Sequence, residues 1–207
     1  MRRWYNKKKV ISFLVSGSGQ NFRAVAKRII KKEIKAKIGA VVTDNGAAGA
    51  LDKARELGIA AYFIDPTSFP TREEYEEKII RIFKRCKTDL IVTAGYLRLV
   101  TPFFIEQYRN RIINIHPSLL PSFPGVHGPE KALEYGVKIT GCTSHFVDEG
   151  MDTGPIILQS PVPILDNDTA QSLSARILKE EFSVLSESVR LFCEDRIRVF
   201  DHKVVKR

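Results

Sequence analysis

Asn114 and His116 stand two residues apart where the apolar run "RIINI" passes into "HPSLLPSFPG". In an extended chain, residues i and i+2 share a side, so the amide and the imidazole face one space. Pro117, Pro121 and Pro124 then restrict the loop that follows and reduce the entropy lost on fixing it. An amide and an imidazole together suit acyl transfer. The amide N–H2 can donate to an oxygen that turns negative in a tetrahedral intermediate, and the imidazole can donate as well or shuttle protons. A free imidazole titrates near ~6.5 and needs a carboxylate neighbour to stay protonated at neutral pH. "SHFVDEGMDTGP" carries His145 on a strand and Asp148, Glu149 and Asp152 in the turn after it. Acids in a Gly/Pro turn are ordinary turn formers, and a histidine at a strand end is often merely hydrogen-bonded, so the chemistry depends on whether these groups meet.

"SGSGQNF" (residues 16–22) is a second candidate. Glycines between a strand and a helix let backbone N–H groups approach an anion at the positive end of the helix. A small phosphorylated substrate held by Gly19, Gln20 and Asn21 is the preferred reading, against a tight turn that simply needs glycine. The loop lacks the Gly-Lys-Ser/Thr ending of a Walker A motif. It is also an incomplete dinucleotide fingerprint: Gly17 and Gly19 fit, Phe22 stands in place of the third glycine, and Asp44 would be the ribose-binding acid. "GxSxG" is absent, and four histidines without metal-type spacing predict no catalytic metal. The acceptor is then the substrate's own nucleophile.

The elements that must position these groups alternate. "VISFLV", "IGAVVT", "IAAYFI" and "DLIVTA" read as buried strands. "NFRAVAKRIIKKEIKAK", "AAGALDKARELG", "TREEYEEKIIRIFKRC" and "PFFIEQYR" read as the intervening helices. Thr71, with Glu74 three residues on, predicts a capping box. Such alternation implies an α/β fold, a Rossmann-like, mostly parallel sheet with helices on both faces. A short helix near "GPEKALEYG", strands "ITGCTSHFV" and "PIILQSPVPI", and a long helix from about Thr169 to Cys193 complete the pattern. At about 100° per residue, Leu173, Ile177, Leu178, Phe182, Leu185, Val189 and Phe192 form an apolar arc on that helix. Glu181 lies near its middle, where a carboxylate is costly unless it is paired or used.

The 207 residues, 43% hydrophobic, suffice for one continuous domain over 1–207. The scattered Cys86, Cys142 and Cys193 fit a reducing cytoplasm. The apolar run after the basic amino terminus is too short for a signal peptide, and nothing approaches the ~20 apolar residues of a membrane span, so a soluble protein is expected. A net charge of +9 favours anionic partners, although the basic runs are most simply solvated helix faces and tails.

Taken together, "INIHPSLLPSFPG", "DEGMDTGPII", "SGSGQN" and "AGYLRLV" resemble the signatures of the folate-dependent formyltransferases, in their order and over Val10 to Cys193. The resemblance implies the formyltransferase fold, its C-terminal part carrying an antiparallel strand and a long helix. It also implies transfer of the formyl group of 10-formyltetrahydrofolate, as co-substrate, to the glycyl amine of glycinamide ribonucleotide in purine biosynthesis. Asn114 and His116 would be the catalytic amide and imidazole, Asp152 the acid that keeps His116 protonated, and His145 a neighbour that orients them. Gly19, Gln20 and Asn21 would hold the ribonucleotide phosphate, and Lys179 and Glu181 the rest of that substrate. Gln20 replaces the usual serine, which leaves the phosphate to backbone donors. Arg72, Leu97, Arg98, Leu99 and Val100 would contact the folate together with Asn114, Asp148, Glu149, Gly150 and Met151. No nucleic acid or membrane partner is implied, and a monomer or homodimer is expected. Three rivals remain. A methionyl-tRNA formyltransferase would need a large domain after the last helix. A 10-formyltetrahydrofolate hydrolase would need one before the first strand. A non-enzymatic basic RNA-binding module would leave Asn114, His116 and Asp152 without a role.

Overall fold

In the computed structural model, which describes residues 8–206, the run KVISFL, buried from Ile11 on, forms β1 (Lys9–Leu14), an interior strand of a seven-stranded sheet. It pairs in parallel with β2 (Ala36–Thr43) on one side and β4 (Leu90–Thr93) on the other. The sheet extends outward through β3 (Ala61–Phe63) beyond β2 and β5 (Ile112–His116) beyond β4, both parallel. Strand order therefore reverses at β1, and that reversal opens a crevice beyond the carboxyl ends of β1 and β4. β6 (Ile139–Phe146) runs antiparallel to β5, and β7 (Ile156–Pro163) antiparallel to β6. The mostly parallel sheet and its antiparallel C-terminal part follow the sequence expectation.

Helices cover both faces. α1 (Gln20–Ile30), α2 (Gly49–Glu56), α5 (Gly128–Tyr135) and α6 (Ala170–Cys193) contribute to one apolar core, built around Phe13, Phe22, Ile113 and Leu185. α3 (Arg72–Arg85) and α4 (Pro102–Gln107) pack on the opposite face around Leu14, Ile79, Phe83 and Phe104. Threonine caps start three of these helices: Thr71, Thr101 and Thr169 accept from Glu74, Phe104 and Ser172 N–H respectively. The full reciprocal box forms at Thr169 and Ser172; at Thr71 the threonine's half is the bond in place.

Two local readings change. The first helix was expected to run to Lys37, because lysines and alanine favour helix, but it ends at Ile30. Lys32 turns left-handed (φ 64°), Ile34 swings into the core, and Ala36 pairs with Lys9. Burial and pairing override local propensity. The tail "IRVFDHKVVK", assigned no structure from sequence, forms a hairpin of β8 (Ile197–Phe200) and β9 (Lys203–Lys206). Its Ile197, Val199 and Val204 pack on the core, a two-residue alternation present in the sequence. The basic residues at 2, 3 and 7 lie outside the described residues; Lys27, Lys31 and Lys32 are exposed, as solvated faces are. Among the described residues, no helix is long and apolar enough to cross a membrane.

Candidate active site

The antiparallel register of β5 and β6 sets Asn114 opposite His145, so their side chains share a face. Thr93, at the end of β4, donates its hydroxyl to Asn114 Oδ1 at 3.0 Å. That bond orients the amide, leaving Nδ2 to face His145 Nε2 at 3.3 Å. His145 Nδ1 lies 2.9 Å from the Phe146 carbonyl, which accepts only if this nitrogen carries the proton. With Nδ1 turned to that carbonyl, Nε2 is the nitrogen that faces both the Asn114 amide and Asp152. One N–H of Asn114 remains for a ligand.

His116 is buried at the end of the same strand. Its Nε2 lies 2.9 Å from the Phe123 carbonyl and its Nδ1 3.2 Å from Asp152 Oδ2. Asp152 has a left-handed backbone (φ 56°) that an aspartate tolerates, and its carboxylate enters the cluster from the turn after β6. Besides His116 it meets His145 Nε2 at 3.6 Å and accepts the Gly125 N–H at 2.8 Å. Burial opposes its charge, but the His145 imidazole, the Gly125 N–H and the charge of His116 hold its carboxyl below the usual value. The same turn separates its acids. Asp148 Oδ1 accepts from Gly150 N–H and the Thr153 hydroxyl, as a turn former does, and Glu149 is exposed.

Asp152 stands where it favours a charge on His116, and burial of the His116 ring works against that charge. Burial pushes the ring below its ordinary value, and the Phe123 carbonyl and Asp152 only partly oppose it. Geometry nevertheless prepares the ring for a second proton: with Nε2–H donated to Phe123, a proton on Nδ1 would point at Asp152.

At the crevice's other side, Gly19 caps α1 in a left-handed conformation (φ 73°) without a side-chain hydrogen bond. A Cβ there would stand 2.7 Å from Ala50 Cα, so the close approach requires glycine. The first-turn N–H groups of α1 have no partner within the helix, and Gln20 is exposed beside them. The Asn21 side chain is committed elsewhere, because its Nδ2 donates to Glu181 Oε2 at 2.7 Å. Asn21 therefore offers a phosphate its backbone rather than its amide. Burial pushes the Glu181 carboxyl up, with the Asn21 bond opposing. Lys179 is exposed and sits about 200° around α6 from Glu181, so the fold does not bring these two together. Phe22 packs edge-on against Phe13, with ring centroids 4.9 Å apart. It is core, and no third glycine of a dinucleotide loop is present.

Between these two clusters runs the strip after β4. Leu97 and Leu99 are 77% and 53% exposed, so they are available to a ligand. Leu97 N–H donates to Ser16 Oγ, tying the strip to the glycine loop. Arg98 is exposed and its guanidinium lies over the Tyr75 ring, while Val100 is half-buried against the core. Arg72 donates to the Leu99 carbonyl and so supports the strip from behind. Asp148, Glu149 and Gly150 line a cleft of about 330 Å³ with Ile105, and Met151 is exposed beside the turn. Among the described residues no cluster of three or more His, Cys, Asp or Glu is arranged to hold a metal ion. Sequence reasoning missed Thr93, Ser16, the Phe123 carbonyl and the Gly125 N–H. Thr93 carried a faint signal as a polar residue closing an apolar strand; the backbone groups carried none.

A profile described as formyl transferase matches residues 8–189. Phosphoribosylglycinamide formyltransferase of Escherichia coli strain K12 is 34% identical over 93% of this chain and 91% of that protein. The trifunctional purine biosynthetic protein adenosine-3 of Drosophila melanogaster is 42% identical over 84% of this chain, which spans only 13% of that longer protein. The crystal structure of glycinamide ribonucleotide transformylase 1 from Symbiobacterium toebii superposes with a TM-score of 0.96 at 40% identity, covering 99% of this chain and 98% of that one.

Proposed function

The chain belongs to the formyl transferase family, and from that premise we propose that it is a phosphoribosylglycinamide formyltransferase of purine biosynthesis, acting in the cytoplasm. It takes the formyl group of 10-formyltetrahydrofolate and gives it to the glycyl amine of glycinamide ribonucleotide. The observation that carries the reading is the cluster at the end of β5, where Asn114, His116, His145 and Asp152 converge beside the crevice.

The amine nitrogen attacks the formyl carbon, and the formyl oxygen becomes an oxyanion. The free N–H of Asn114 donates to it. His116 joins by exchanging its Phe123 partner for the substrate oxygen. The charge that develops there favours the imidazolium, whose Nδ1–H then points at Asp152. As the intermediate collapses, the bond from carbon to N10 of the folate breaks. The proton lost by the attacking amine ends on N10, so the transfer balances without an added reagent. Binding both substrates in one crevice makes the step effectively unimolecular. First-turn N–H groups of α1 receive the ribonucleotide phosphate, Glu181 accepts from the same substrate, and the strip Leu97–Val100 with the turn Asp148–Met151 receives the folate.

The test is single-turnover reaction of 10-formyltetrahydrofolate with and without glycinamide ribonucleotide. Formyl transfer that depends on the acceptor is expected. Release of formate at the same rate in its absence would make the protein a hydrolase, and no consumption of the folate at all would overturn the reading.

A further inference from the structure

Glu76 is 3% exposed, lies in the apolar core under α3 and takes no part in the chemistry above. Both of its carboxylate oxygens serve one residue: Oε1 accepts the Thr101 N–H at 2.8 Å, and Oε2 accepts the Thr101 hydroxyl. Thr101 caps α4, its Oγ1 accepting from Phe104 N–H at 3.4 Å, and Pro102, the first residue of that helix, has no N–H to offer. By holding the hydroxyl proton, Glu76 turns an oxygen lone pair of Thr101 towards Phe104. Neighbouring residues of the same helix face act alongside it. Arg72, one turn earlier, holds the Leu99 carbonyl, and the Tyr75 hydroxyl meets that of Tyr96 at 3.1 Å. α3 thus holds both ends of the exposed strip Leu97–Val100, through the Tyr96 side chain before it and the backbone of Leu99 and Thr101 at its far end, and through Thr101 it also sets α4. α4 contributes Ile105 to the cleft shared with Asp148, Glu149 and Gly150.

Packing alone does not call for a carboxylate here. An apolar side chain of similar volume would hold two helices together without the cost of burying charge, and burial does push the Glu76 carboxyl up, against the two Thr101 bonds. What an apolar residue cannot do is fix a backbone N–H and a hydroxyl at once. We propose that Glu76 is a positioning residue for the co-substrate, holding Thr101 so that the strip Leu97–Val100 and α4 form one wall of the folate site. This rests on the formyl-transfer reading.

Calorimetric binding of tetrahydrofolate and, separately, glycinamide ribonucleotide tests it, with melting temperature and hydrogen exchange at the Phe104 amide as companions. Glu76→Gln removes one acceptor and is expected to weaken tetrahydrofolate binding about tenfold, leave ribonucleotide affinity within twofold and speed Phe104 exchange. Thr101→Val should reproduce the same selective loss, and Thr101→Ser, which keeps the hydroxyl, should restore it. Unchanged tetrahydrofolate affinity in both Glu76→Gln and Thr101→Val would overturn the proposal. So would equal losses for both ligands alongside a fall in melting temperature, the mark of a merely structural residue. A wild type that binds no tetrahydrofolate would bring down the formyl-transfer reading itself, an outcome distinct from a wild type and variant that bind it equally.

Discussion

Asp152 and Glu181 are two carboxylates removed from most solvent on either side of one crevice, and their surroundings drive them in opposite directions. Asp152 has a backbone N–H and two imidazoles within reach, and its carboxyl is held below the ordinary value. Glu181 has, among the described residues, a single amide donor from Asn21, whose own Oδ1 is buried without a partner, and burial pushes its carboxyl up. The difference is one of satisfaction. A carboxylate given several donors is a finished part of the protein, ready to stabilise charge on a neighbour. One given a single donor retains acceptor capacity that a ligand hydroxyl or amine can use. The first suits catalysis and the second suits recognition.

That contrast can be broken by exchanging charge for an isosteric amide at each site. Asp152→Asn should reduce single-turnover formyl transfer by roughly 10²–10⁴-fold while binding of both substrates, measured separately, stays near wild type. A large loss of ribonucleotide affinity instead would move Asp152 to the recognition side. Removing the oxyanion donor by Asn114→Ala should cost about 10²–10³ in kcat, read in the same assay. An effect confined to KM would show that the amide binds substrate without stabilising the oxyanion. Glu181→Gln should act the other way, raising KM for glycinamide ribonucleotide on the order of tenfold with kcat nearly unchanged.

The smallest effect sharpens the comparison through pH. The Asp152 carboxyl titrates lower in the folded protein than unfolded, so its stabilisation is complete above the ordinary carboxylate value and is lost as pH falls through the folded one. Glu181 titrates higher when folded, so the penalty on its charged form is complete above the folded value and relieved as pH falls towards the ordinary value. Relative to wild type, Asp152→Asn should melt lower at neutral pH and Glu181→Gln higher, by about 2–4 °C for each kcal/mol. Both differences should shrink on acidification. Scanning calorimetry from neutral to mildly acidic pH checks this; offsets of the same sign would show that the two sites are not opposites.

How far the site was legible in the chain depended on the range of the contacts. Asn114 and His116 could be paired because the two-residue period of a strand is local. The parallel sheet was legible from alternating apolar runs, and the threonine cap of α3 from its position before a helical segment. Where Lys32 breaks the first helix was not, since that break answers to the burial of Ile34 and the pairing of Ala36. Nor were the second partner of His116 and the partner of Asn21: the Phe123 carbonyl has no side-chain signature, and the Asn21 amide is claimed by a residue 160 positions away.

The sequence by itself therefore determined the α/β alternation, the residue types at each strand end and, through its motifs, the family to which the chain belongs. Only the tertiary structure brought the acids of one turn to their partners, setting Asp152 on two imidazoles and leaving Asp148 to its turn. It alone decided the protonation tendencies as well, because a side chain carries its ordinary titration into any fold, whereas the shift comes from the donors and the burial that distant segments supply.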